Sequence, residues 1–151
     1  MRKIQIYFHN TDITVSGTVL EDSYPAQVED MWKFIETPQK CFTHHMVSTG
    51  YYLVAKPLPP YHPVPIVNQS SPLGDEIPKI SNMKAGQITW RGTTWAFVYG
   101  ACTEPLTSSG PVVVLVDPEC MQAYHDACLN QWHQTSLHHK VGIVTISRKE
   151  N

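Results

Sequence analysis

Apolar and polar residues alternate at the start of the chain: Ile4, Ile6 and Phe8, then the polar stretch "HNTD", then Ile13 and Val15. A period of two marks a strand with one buried face, so the segment predicts a hairpin around a polar turn. The period then changes. Val28, Met31, Trp32 and Ile35 stand at i, i+3, i+4 and i+7, the spacing of one buried helical face. Ser23 is placed to cap that helix, Pro25 suits its first turn because no donor is wasted there, and Pro38 ends it.

Strand patterns dominate the rest of the chain. "CFTHHMVSTGYYLVAKP" is rich in aromatic and β-branched residues and is broken by Ser-Thr-Gly, which predicts two strands and a short turn. "GQITWRGTTWAFVYG" predicts two more around Arg91-Gly92-Thr93. "GPVVVLVD" is so uniformly apolar that both its faces are expected to be covered. Asp117-Pro118-Glu119 reads as a helix opening with Asp117 as the capping side chain, followed by Met121, Tyr124, Cys128, Leu129 and Trp132 on one face. "KVGIVTISR" supplies a last strand. Residues 57–86 hold seven of the twelve prolines and show little periodicity. They predict a long excursion, either a lid over a pocket or a loop wrapped passively across the fold. Many strand pairs and two amphipathic helices predict a mainly β fold: a closed barrel capped by helices, which leaves no sheet edge unprotected.

Composition narrows the partners. The 151 residues suit one domain, 1–151, and the balance of 42% hydrophobic to 16% charged residues is that of a folded globule. A net charge of −2, with eleven basic residues against thirteen acidic ones, gives no stripe for nucleic acid. No apolar run approaches a membrane span, and the alternating opening reads as a strand rather than a signal peptide. Cys41, Cys102, Cys120 and Cys128 form no dense framework and no paired zinc-ligand motif, so reduced thiols in a cytoplasm are expected, with no metal. No GxGxxG fingerprint occurs, and no cofactor is expected. The expected partner is a small molecule; association with copies of itself is left open.

The segment "IQIYFHNTDITVSGTVLEDSYPAQVEDMWKFI" resembles the start of the cyclophilin-like barrel: two strands, an acidic residue, then proline near the opening of a helix that plugs one barrel end. "PKISNMKAGQITWRGTTWAFVYG" resembles the corresponding stretch of small bacterial cyclophilin-like domains. The likeness extends loosely to cucumopine and mikimopine synthases. It implies a cyclophilin-like barrel over nearly the whole chain. It also implies opine-type chemistry, the condensation of an amino acid with a keto acid without a nicotinamide cofactor. Prolyl isomerisation is the other activity of such barrels. The Gly-Gly-Asp-Phe and Gln-Phe-Phe stretches of true cyclophilins are absent, which argues against it.

Several side chains could carry chemistry. His44 and His45 are neighbours on a predicted strand, so they face opposite ways and only one can enter the barrel as an acid or base. Glu104 follows an apolar strand end, where partial desolvation would raise a carboxyl pKa and suit it to proton transfer. Cys102 could act if a histidine lay beside it, although an inert buried thiol is the commoner outcome. Arg91 has the planar fork that holds a carboxylate, and Trp90, Trp95 and Tyr99 have the size of pocket walls or of core. The expectation is a cofactor-independent acid/base enzyme in which Glu104 and one of the two histidines exchange protons with a polar or carboxylate-bearing substrate. The alternative is a barrel that binds a small ligand or peptide without turning it over.

Overall fold

The computed structural model describes residues 1–59 and 77–150. Eight strands lie in the order β1 (Lys3–Phe8), β2 (Ile13–Val19), β3 (Gln39–His45), β4 (Gly50–Pro57), β5 (Gln87–Arg91), β6 (Thr94–Cys102), β7 (Val112–Val116) and β8 (Gly142–Arg148). Helix α1 (Pro25–Phe34) follows β2, and α2 (Met121–Leu137) precedes β8. All strand pairs are antiparallel, and they close into a barrel in the order β1-β2-β7-β5-β6-β4-β3-β8, with β8 returning to β1. Closure gives every strand two partners, which is how the fold disposes of its edges. The mainly β architecture with two helices and a closed barrel is as the sequence predicts.

The period-two pattern sets which side chains point inward. Ile6 sits between Val15 and Ile146, Leu53 opposes Phe97, and Trp90 opposes Trp95. Ile4, Ile6, Phe8, Ile88, Trp95 and Phe97 have no exposed surface. Eight strands enclose a space that side chains can just fill, and here among the described residues they fill it with hydrocarbon along most of its length. The barrel interior is therefore largely a packed core rather than a pocket.

The two helices close opposite ends. Val28, Met31 and Ile35 bury the predicted face of α1, and Phe34 reaches Trp90 at 5.6 Å between ring centroids, at the end where β5 finishes. Tyr124, Ala127, Cys128 and Gln131 bury one face of α2 over the ends of β3 and β6. Gly142 lets α2 come close: a Cβ there would collide with the side chains of Gln131 and Thr43, which hydrogen-bond to each other at 2.7 Å.

Three local expectations are corrected. Neither helix has a side-chain cap: Tyr24, not Ser23, stands at the N-cap of α1. Asp117 turns away from its helix, into hydrogen bonds from Lys3 at 2.8 Å, Ser16 at 2.5 Å and Thr18 at 2.7 Å. Burial would raise its pKa, but these donors together hold it at about 2. A buried carboxylate gains more from an ammonium and two hydroxyls than from one helix end. In β7, Leu115 is 40% exposed, so only one face of that strand is fully covered. Residues 60–76 lie outside the described part, and the expectation of a lid falls there; within 77–86, Ile80–Asn82 form a single 3-10 turn.

Candidate functional site

Polar chemistry enters the barrel at the end that α2 covers. Alternation along β3 sends Cys41, Thr43 and His45 inward and leaves His44 exposed on the outer face. His45 is 3% exposed. Its Nδ1 lies 2.6 Å from the Met46 carbonyl oxygen and its Nε2 lies 2.6 Å from the Tyr99 hydroxyl. A carbonyl can only accept, so Nδ1 carries the proton in the neutral ring, and Nε2 accepts from the Tyr99 O–H. Burial, helped by the nearby charge of His44 and opposed by the Met46 bond, lowers the His45 pKa to about 4. The same burial pushes the Tyr99 phenol well above its ordinary value. At neutral pH the pair is uncharged, joined by one short hydrogen bond.

Two aromatic side chains wall the pair from solvent. Trp132 of α2 stacks on His45 at 4.2 Å and 10°, while Tyr51 of β4 stands edge-on to Tyr99 at 5.6 Å and to Trp132 at 5.8 Å. Tyr51 owes its position to a register shift between Gly50 and Tyr52 in the β4–β6 pairing. Gly50 has φ +128, a conformation disfavoured for other residues, and meets the backbone of Ala101 and Cys102 closely. On their outer side Tyr51 and Trp132 line a surface groove of about 350 Å³ together with Leu129, His133, Ser136 and Leu137. His125, also on α2, packs edge-on against Tyr99 at 5.4 Å. The arrangement is a neutral proton donor–acceptor pair set one aromatic layer below an open, mostly apolar groove.

The other predicted residues do not converge there. Trp90 and Trp95 are core, packed at 6.2 Å from each other toward the α1 end. Four residues of extended strand, roughly 13 Å, separate Trp95 from Tyr99. Arg91 ends β5, at the same far end. Cys102 lies on the opposite face of β6 from Tyr99, against a small outer cluster of Tyr52, Ile80, Met83 and Val98, and burial raises its pKa. A thiol held protonated is a poor nucleophile. Glu104 is half-buried just beyond β6, where its backbone oxygen accepts from the Ser81 N–H at 2.9 Å. Of the predicted set, only His45 and Tyr99 meet at the α2 end. Among the described residues no group of three His, Cys, Asp or Glu side chains could hold a metal ion. No described helix is long and apolar enough to cross a membrane.

Local spacing does not mark Tyr51 or His125 as site residues, and it marks Trp132 only as part of a buried helix face. Trp132 lies on the buried side of α2 in the helical pattern, but nothing in that pattern says it would meet a histidine 87 positions earlier.

This barrel is shared with McbB. A solved structure of McbB in complex with tryptophan matches at a TM-score of 0.80 and 21% identity, covering 98% of this chain and 45% of that one. At that identity the likeness shows the fold alone, and this chain spans less than half of the neighbour's length. No family model matches the chain, and no curated protein matches it.

Proposed function

We propose that the α2 end of the barrel binds a small amine- or carboxylate-bearing metabolite and moves protons on it without a redox cofactor. The observation that carries this reading is the Tyr99–His45 hydrogen bond, buried directly behind the aromatic wall of the groove. When the Tyr99 oxygen takes a proton from a bound substrate, its own proton passes to Nε2 of His45, leaving an imidazolium whose Nδ1–H remains on the Met46 carbonyl. A histidine whose pKa is lowered to about 4 returns that proton readily, which suits a transient carrier rather than a resting base. Tyr51 and Trp132 would have to shift to admit the substrate, and Glu104, just beyond the end of β6, lies outside the groove lining.

The finer reading is an opine-type condensation or ring closure between an amine and a keto acid, in a cytoplasmic cyclophilin-like domain that spans the chain. It is supported by the resemblance to cucumopine and mikimopine synthases and by a neighbour fold that has been seen with tryptophan bound. The test incubates the protein with L-tryptophan and pyruvate and follows both by NMR. Wild-type protein should consume them, and Tyr99→Phe should slow that at least about a hundredfold, the usual scale for a lost acid/base group. A second reading, binding without turnover, is favoured by the filled interior. It predicts tryptophan binding that Tyr51→Ala weakens, with nothing consumed. Neither binding nor consumption would refute both.

A further inference from the structure

The exposed partner of His45 faces a different concavity. We propose that the pocket between the outer face of β3 and the C-terminal end of α2 is a second binding site, one that takes a multiply charged oxyanion, a phosphate or a dicarboxylate. This pocket is a shallow depression of about 410 Å³, wide open to solvent, and Phe42 and Val141 form apolar parts of its lining. Its two hydroxyls are already committed: Thr43 donates inward to Gln131, and Thr135 donates to the Gln131 backbone oxygen at 2.9 Å. The side chains left to recognise a ligand are His44, His139 and Lys140. None of the three has an ion-pair or side-chain hydrogen-bond partner among the described residues, and no carboxylate lines the pocket. Donors and cations without an acceptor select an anionic guest.

The backbone adds an independent reason. His139 sits just past the end of α2 at φ +52, the left-handed conformation in which a helix usually stops on glycine. Here an imidazole occupies it instead, at a conformational cost that the fold alone does not require. The turn lets the Lys140 N–H reach back to the Gln134 oxygen at 2.9 Å while His138 donates to the His133 oxygen. Two of the last carbonyls of α2 are thereby covered, which weakens the negative end that would otherwise repel an anion.

The experiment follows the imidazole resonances of His44 and His139 by NMR. Inorganic phosphate and succinate are added in separate arms, with sodium chloride at matched ionic strength as the control for screening. The expected result is a saturable shift of both histidines with a dissociation constant on the order of 1 mM for at least one of the two anions. Whichever arm saturates names the guest. His44→Ala should weaken binding about tenfold, a loss of the size expected for one charged contact. His139→Gly should do the same while raising the folded-to-unfolded ratio about fivefold, because the strain is relieved. The gain in stability separates lost binding from lost structure. Equal shifts with chloride, no shift with either anion, or unaltered binding by His139→Gly would each overturn the proposal. So would a His139→Gly protein that unfolds more easily than its parent.

Discussion

Replacing His45 with asparagine should remove a specific part of the protein's acid sensitivity. In the folded protein the ring is buried and neutral, with a pKa lowered from 6.5 to about 4. The unfolded chain therefore binds the proton first. Stability linked to this group is complete above about pH 6.5, falls as the pH drops toward 4, and levels off below that. At about 1.4 kcal/mol per pH unit, the full effect is about 3 kcal/mol, a large share of a typical folding free energy. Asparagine can keep a donor toward the Met46 carbonyl but cannot be protonated in this range. Urea midpoints for both proteins from about pH 7.5 to about pH 4, with unchanged slopes, give the comparison. The wild type should lose about 3 kcal/mol more than the variant over that span, all of it between pH 6.5 and 4. Parallel curves would show that His45 titrates like a solvated histidine and would refute the buried neutral pair.

Asp117→Asn should act in a lower window: the carboxyl is held at about 2 against an ordinary 3.8, so wild type loses about 2 kcal/mol as the pH falls through that interval and the variant does not. Acid titration of the ellipticity of each protein reads this out. Gly142→Ala should cost about 1–3 kcal/mol in urea unfolding, because its Cβ must displace both Gln131 and Thr43 from their mutual hydrogen bond; a neutral result would mean that α2 is not seated as described. Tyr51→Ala should speed modification of His45 by diethylpyrocarbonate, measured by peptide mass spectrometry, by about tenfold or more. An unchanged rate would mean that Tyr51 is not part of the wall.

Local periodicity carried most of the fold. Val28 and Met31 on α1 with Ile35 at its C-cap, Ile4, Ile6 and Phe8 on β1, and the opposite facing of His44 and His45 all follow from spacings of 3.6 and 2. What spacing cannot supply is which strand lies beside which. Arg91 and Glu104 are thirteen positions apart in sequence and look like one pocket, yet β5 and β6 run antiparallel and carry them to opposite ends. Asp117 fails as a cap for the same reason: its better partner, Lys3, is 114 residues away and arrives only when the barrel closes. His45 and the aromatic wall over it come from three separate elements, β3, β4 and α2, brought together at one barrel end. Trp90 and Trp95 show the complementary failure, since an aromatic on a small barrel's inner face has the same local pattern whether it lines a cavity or fills one.

The central claim is a neutral His45 with its proton on Nδ1 and a Tyr99 hydroxyl donating to Nε2. Long-range proton–nitrogen NMR at about pH 6 reads the tautomer of a single imidazole directly. The account predicts a protonated Nδ1 and an unprotonated Nε2 in His45, with the Nε2 resonance moving in Tyr99→Phe as its donor is lost. A doubly protonated ring at that pH, a proton on Nε2 instead, or an Nε2 signal indifferent to Tyr99→Phe would contradict it.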